Sequence, residues 1–339
     1  MMKRAFATLI PLCIIGFVGF WISTLFLGTS SVTSMDSISV IDDSNSVGGW
    51  SKSYTVKHEE FTAEIAANSN LSIQLSDVSA VVEPSDNNKI GVYVRNTSSR
   101  AVNVALSRDQ STNTSIKIST GVSFGLFNIN IPDIFGLFGG NLMERQVIIK
   151  VPRKTFDSLK ISQGSGKATV SGINARENSI DLGSGELDFS RAMTGKTNSF
   201  NINMGSGKAT FTGIQTSLYH INIGSGECKI ANLTGSGVIE IGSGSVDISY
   251  DQSPTGKLDM GSGYAKISVP TSTDTKFIFN IGSGSVDVCA NTQIQRYNKT
   301  GEYTMGSKGF YNFNINLGSG KIDVGYKGFT PGVVSSQTD

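Results

Sequence analysis

The stretch Ile239-Glu240-Ile241-Gly242-Ser243-Gly244-Ser245-Val246-Asp247-Ile248 decides the fold. Apolar and polar residues alternate on both sides of the Gly-Ser-Gly triplet, the period of a β-strand with one buried face. Ile241 and Val246 both belong to the inward set, yet they are five positions apart, whereas unbroken alternation needs an even number. The triplet therefore has to turn the chain, as a corner or bulge does. Glycine suits a corner because it accepts φ > 0 and close backbone approach.

The pattern returns along the second half of the chain. Triplets begin at Gly164, Gly183, Gly205, Gly224, Gly242, Gly261, Gly282 and Gly318, in steps of 19, 22, 19, 18, 19, 21 and 36 residues, the last close to two periods. A fixed period of about 20 residues marks a repeat architecture. Equivalent residues once per turn predict an all-β fold, a β-solenoid whose coils of about 19 residues stack in register. Nine to twelve coils would make a stack roughly 45–60 Å long, at about 4.8 Å per strand. The outward positions support this. Lys167, Glu186, Lys208 and Glu227 follow one another on successive coils, and Lys229, Asp247, Lys266 and Asp287 do so two positions further on. Stacked opposite charges contribute about 0.2–1 kcal/mol per pair. They read as solvated surface pairing rather than a ligand stripe.

Lys3 and Arg4 precede a 23-residue apolar run, Ala5 to Leu27, long enough to span a bilayer as one N-terminal transmembrane helix. A cleaved signal has a core of only about 7–15 apolar residues, so residues 1–27 read as an uncleaved membrane anchor. The positive end stays in the cytoplasm, which puts the remainder outside. Cys13 lacks the small preceding residue of a lipoprotein signal, and no sorting signal ends the chain. Residues 28–52, rich in Ser, Thr, Gly and Asp, read as a flexible tether. Net charge is +1, which gives no concentrated basic face for nucleic acid. Cys228 and Cys289 fall on coils three apart, about 14 Å at the strand spacing, so they read as unpaired thiols, Cys228 in the core.

Residues 53–160 carry less regular strands, among them Leu71–Leu75, Ile90–Val94, Ser115–Ile118 and Val147–Val151, separated by turn clusters such as Pro84-Ser85-Asp86-Asn87-Asn88. A solenoid with an irregular cap competes here with a small β-sandwich, and the former is preferred. Regular repeats occupy 161–325, and 326–339 form a tail.

Three features make the chain resemble the bacterial β-strand-repeat family labelled putative adhesin, a family of unknown function. They are the strand pair with an acidic turn from Leu71 to Val94, the Val147–Pro152 strand followed by Leu159-Lys160-Ile161, and the strand–small-Gly–strand repeats beyond. The resemblance covers about residues 60–325. It implies an extracytoplasmic β-solenoid, often membrane-anchored, with no established catalytic residues. The array departs from regularity between Gly284 and Gly318, where a degenerate coil or an inserted hairpin is expected.

Gly164-Ser165-Gly166-Lys167 and Gly205-Ser206-Gly207-Lys208 invite a phosphate-loop reading. Ile161 and Ile202 stand where that loop needs its first glycine, and Ala168 and Ala209 where it needs a hydroxyl for Mg²⁺, so no nucleotide is expected. Polysaccharide lyases place acids on one solenoid face as Ca²⁺ ligands. Asp247 and Asp287, two coils or about 10 Å apart with Lys266 between, are too widely spaced for one ion. His58 and His220 are the only histidines, and His220 lies on the outward phase. No catalytic, cofactor or metal residues are assigned. Residues 121–143 are unusually apolar. Phe124, Phe127, Phe135 and Phe138 lead a segment that either folds over the open solenoid end as a cap or forms a docking patch for a partner or the bilayer; the cap is preferred. The chain thus reads as a membrane-anchored, non-enzymatic, adhesin-like binding scaffold of the cell envelope, engaging a membrane protein or a cell-surface ligand. An accessory of an envelope-stress system and a polysaccharide-active enzyme are the alternatives.

The charge asymmetry around the apolar run generates a topology prediction. A membrane-impermeant maleimide applied to intact cells should label a cysteine placed at Ser37 and spare one placed at Met2. The reverse pattern would invert the orientation.

Overall fold

The structure is a computed structural model and describes residues 55–60, 69–86, 90–96, 102–108, 113–120, 146–190, 196–290 and 293–329. The membrane-anchor and tether segments, the apolar segment 121–143 with Phe124, Phe127, Phe135 and Phe138, and the chain beyond 329 lie outside the described residues. The chain divides into two compact units, Met1–Asp36 and Ser37–Asp339, and every described residue belongs to the second. Among the described residues all regular elements are strands, and no helix is long and apolar enough to cross a membrane.

After β1 (Thr55–Glu60), β2 (Asn70–Leu75) and β3 (Ser79–Ser85) form a first coil. β4 (Gly91–Asn96) and β5 (Val102–Arg108) are antiparallel strands, β4 lying between β1 and β7 (Gln146–Pro152) and β5 at the edge beside β6 (Asn113–Thr120), and β6 with β7 supplies another coil. Regular coils follow as β8 (Thr155–Gln163) with β9 (Lys167–Ser171), β10 (Asn174–Leu182) with β11 (Glu186–Ser190), and β12 (Thr197–Met204) with β13 (Lys208–Thr212). β14 (Gln215–Ile223) leads into β15 (Glu227–Ile241), which crosses from one sheet to the other and continues into β16 (Ser245–Tyr250). β17 (Thr255–Met260) with β18 (Tyr264–Val269) and β19 (Thr275–Ile281) with β20 (Ser285–Ala290) come next. A hairpin of β21 (Gln293–Tyr297) and β22 (Gly301–Met305) precedes the last coil, β23 (Tyr311–Leu317) with β24 (Lys321–Tyr326).

Strands that lead into a corner make one sheet, in the order β5-β6-β2-β8-β10-β12-β14-β15-β17-β23-β19-β22. Strands that leave a corner make the other, β1-β4-β7-β3-β9-β11-β13-β15-β16-β18-β24-β20-β21. The inner strands pair in parallel, so ten coils stack among the described residues. Strands between 70 and 152 belong to the same two sheets as the regular repeats.

Order in space departs from order in sequence at both ends. The β2/β3 coil sits between β6/β7 and β8/β9, and the last coil, β23/β24, is threaded between β17/β18 and β19/β20. The irregularity expected between Gly284 and Gly318 is thus the β21–β22 hairpin, paired antiparallel against β20 and β19. Threading corrects two spacings read from sequence order. Cys228 and Cys289 lie four coils apart rather than three, and Asp247 and Asp287 three rather than two. Both cysteines are free thiols.

The inward phase holds throughout. Ile239, Ile241, Val246 and Ile248 are buried while Glu240 and Asp247 are not. Aromatic rings thicken the core. Phe189, Phe200 and Phe211 touch at centroid distances of 5.6–6.0 Å, and Tyr219, Tyr250, Phe313 and Phe277 continue the series. The Tyr219 and Tyr250 hydroxyls satisfy each other at 3.0 Å, and burial pushes the Tyr219 phenol up to about 12. Gly237 makes room for this pair, because a Cβ there would meet the Tyr219 ring at 2.5 Å and its carbonyl oxygen at 1.9 Å.

At the triplets, close approach rather than positive φ explains the glycines. A Cβ on Gly185 would stand 2.3 Å from the Gly166 oxygen, and one on Gly263 would stand 1.9 Å from the Gly244 oxygen. Those same oxygens accept the amides of Glu186 at 2.9 Å and Tyr264 at 3.1 Å, so the ladder of hydrogen bonds runs around the corner unbroken. Left-handed residues mark the opposite corner instead, at Gly172 (φ 68°), Gly213 (φ 74°) and Asn232 (φ 60°), each followed by a buried Ile173, Ile214 or Leu233.

Ile241→Asp should unfold the coils around it, since it places an unpaired charge in the core. Glu240→Ala, half-exposed and paired loosely with His220 at 3.6 Å, should change stability by less than about 0.5 kcal/mol. Gly263→Ala should cost about 1–3 kcal/mol through overpacking against the neighbouring corner. Thermal melts of the three variants test the phase and the close approach together.

Candidate functional site

Because every coil repeats the same corner, the surface there repeats too. A shallow open groove of about 900 Å³ follows the triplets across six coils, from Ser165 to Tyr264, floored by the second glycine of each triplet and lined by its serine. Serine hydroxyls of neighbouring coils approach each other at 3.4 Å, both between Ser206 and Ser225 and between Ser243 and Ser262. One wall carries the expected charge ladder, with Lys167–Glu186 and Lys208–Glu227 both at 3.3 Å. A second groove of about 660 Å³ lies on the other side of the corner, lined by Asn222, Glu240, Asp259, Asn316 and Asn280. Amides and carboxylates pair along it, Asn222 to Asn203 at 3.2 Å and Asn316 to Asp259 at 2.6 Å. Lys167–Glu186, Lys208–Glu227, His220–Glu240, Asn222–Asn203 and Asn316–Asp259 each join neighbouring coils, so the surface is rich in hydrogen-bonding groups and its charges are largely paired.

Buried ionisable groups gather at the hairpin end of the outward column. Asp323 of β24 and Asp287 of β20 are register partners and both are almost fully buried. Arg296 of the hairpin grips Asp287 with two hydrogen bonds, 2.7 and 2.8 Å. Lys321 stands 3.3 Å from Asp287 and 3.0 Å from Asp323, and the Tyr264 hydroxyl donates to Asp323 at 2.7 Å. Arg296, with Lys321 behind it, holds the Asp287 carboxyl below the usual carboxylate range against the effect of burial. Burial, reinforced by Asp323, pushes the phenol of Tyr264 up. Burial likewise raises the Cys289 thiol, with the two carboxylates adding to it, and raises Cys228 in the core to about 12. Two acids against two cations make a nearly neutral latch that fastens the hairpin and the threaded coil to β20. Among the described residues no group of three or more His, Cys, Asp or Glu side chains is arranged to hold a metal ion.

The sequence placed Asp247, Lys266 and Asp287 in one column, and the structure keeps them there but inserts Asp323 between Lys266 and Asp287. Asp323 was legible in principle, since it stands five residues after its triplet begins, as Asp247 and Asp287 do. Arg296 was not, because its strand belongs to no repeat. His220 is exposed on the outer face, against Glu240.

A family model described as Toastrack DUF4097 matches residues 68–325. No curated protein matches the chain. Solved structures similar to this chain include a putative cell adhesion protein from Clostridium sporogenes, 15% identical, covering 80% of this chain and 100% of its own, with a TM-score of 0.26. A putative lipid binding protein from Parabacteroides distasonis is 14% identical over 79% of this chain and 96% of its own, TM-score 0.45. A putative adhesin from Bacteroides fragilis is 10% identical over 79% and 96%, TM-score 0.41.

The latch should be acid-labile in a calculable direction. Asp287 has a folded-state pKa below its unfolded value, so its contribution is complete above about pH 4 and is lost as pH falls through the folded value. Asp287→Asn should remove about 1–2 kcal/mol at neutral pH, Arg296 being half-exposed, and should flatten the acid limb of the stability curve. Hydrogen exchange of the β21 amides between pH 2.5 and 6 is the readout. An unchanged acid limb in the variant would assign the acid sensitivity to other carboxylates.

Proposed function

This chain belongs to the Toastrack DUF4097 family, and from that premise we propose that it is a membrane-anchored, extracytoplasmic, non-enzymatic binding scaffold of adhesin type. The observation that carries this reading is the groove along the corners. It offers the same serine and glycine on six successive coils, with ladders of paired charge and amide on either side. Such a surface, repeating at about 4.8 Å, suits an extended polymer that repeats along its own length. Catalysis wants groups tuned toward the working pH. Here the described shifts run the other way, carboxylates down and thiols and phenols up. The Lys3-Arg4 flank and the 23-residue apolar run support anchoring with the repeats outside.

The test uses the full chain reconstituted in nanodiscs and insoluble cell wall from its own cells. Co-sedimentation is expected, and Ser206→Gln with Ser225→Gln, which fills the groove from a solvated face, should weaken it at least about tenfold without moving the melting temperature. Release of unsaturated sugar ends would make the protein an enzyme. Loss of wall binding together with stoichiometric co-purification of a membrane protein would favour the envelope-stress accessory.

A further inference from the structure

We propose that the loop from Gly306 to Tyr311 is a bilayer-contact tip that docks on the anionic surface of the membrane carrying the chain; this rests on the anchored reading above. The loop has a topological task. It takes the chain from β22, at the edge of its sheet, back across β19 to the inner position of β23. The residues that serve this task are identifiable. Asp274, at the entrance to β19, accepts the amides of Lys308 at 2.8 Å and Gly309 at 2.7 Å. Gly306 (φ 101°) and Gly309 (φ 62°) take left-handed conformations, and a Cβ on Gly306 would strike the Thr273 oxygen at 2.3 Å.

Nothing in that task requires Phe310 and Tyr311 to be aromatic. Yet Phe310 is 71% exposed and Tyr311 48%, two of the three large exposed hydrophobic residues described. The Lys308 ammonium stands over the Phe310 ring at 5.4 Å. Phe, Tyr and Lys together are the composition of a membrane-interface anchor, with the ring entering the headgroup layer and the cation meeting anionic lipid. Shape selects the occupant. Neither groove includes the loop, and its two aromatic rings stand in solvent rather than folded into a cleft. A fluid surface accepts a single protruding tip. The bracing by Asp274 means that little order has to be gained on contact.

Reach and strength are both adequate. The 25 residues of segment 28–52 span up to about 80 Å when extended, against about 48 Å for ten stacked coils. Attachment to the same bilayer gives the tip an effective concentration of order millimolar, so an individually weak contact is populated.

The test places an environment-sensitive nitrobenzoxadiazole label on Ser307→Cys in the full chain carrying Cys13→Ser, with the Cys13→Ser chain alone as the labelling control, since Cys228 and Cys289 are buried. The chain is reconstituted in phosphatidylcholine vesicles with and without about one-third phosphatidylglycerol. Expected are a blue-shifted emission and protection from aqueous iodide in the anionic vesicles, both lost in F310A/Y311A and weakened in K308E, with melting temperatures unchanged. Emission identical in both vesicle types, with the chain still resisting carbonate extraction, overturns the tip and leaves the anchor standing. A chain stripped from the vesicles by carbonate overturns both. A shift that appears only when a second protein is added reassigns the tip to a protein partner and overturns the bilayer reading.

Discussion

One contact sets the geometry of this protein: the carbonyl of a corner glycine meets the backbone of the next coil so closely that no Cβ fits between them. At Gly185 over Gly166, and at Gly263 over Gly244, a side chain would sit 2.3 and 1.9 Å from the oxygen below. That oxygen is also the acceptor that carries the sheet ladder around the bend. A larger residue would lift the corner and break the ladder where the two sheets join. Because the corners stack without a gap, strands on either side stay in register, and inward and outward residues fall into columns. The continuous core, the charge ladders and the serine groove all follow from that registry.

A stack of identical corners creates its own difficulty, since any triplet fits on any other. Backbone pairing specifies that coils stack but not which coil follows which, and open ends present unpaired strand edges. The molecule resolves both through residues outside the repeat. At each end antiparallel strands cover the edges, β5 and β4 at one and β22 and β21 at the other. At each end one coil also pairs on both sides with coils that are consecutive in sequence. A terminal coil held between two others has no free edge from which to fray. Contacts of this kind join distant parts of the chain, which raises loop-closure cost and slows folding relative to simple sequential stacking.

The repeat made the interior legible. Alternation identified the buried side, the odd five-residue step identified the corner, and outward charges predicted the pairs Lys167–Glu186 and Lys208–Glu227. The second corner escaped notice because Gly172, Gly213 and Asn232 satisfy one backbone requirement with two residue types and lie at uneven spacing. Order at the ends was not legible, because a period reports which residues are equivalent and not which equivalents touch. The same ambiguity misplaced Asp287. Its position on the ladder was clear, whereas its burial depends on Arg296 in a strand that follows no repeat, and on Asp323 arriving out of sequence order.

Specificity in such a fold therefore has to reside in the exceptions. Asp323 and Asp287 lie side by side, an arrangement that costs energy unless cations answer it, and both cations come from the elements that define the end: Lys321 from the threaded coil, Arg296 from the hairpin. The pair is neutralised only when β24 and β21 flank β20, so the cluster penalises other stacking orders in a way the triplets cannot. Asp274 plays the corresponding part on the other sheet, because its carboxylate is satisfied by the loop that carries the chain back across β19. Irregular residues thus choose one order among the many that the glycine corners would accept, while the regular residues supply the surface that the chosen order presents.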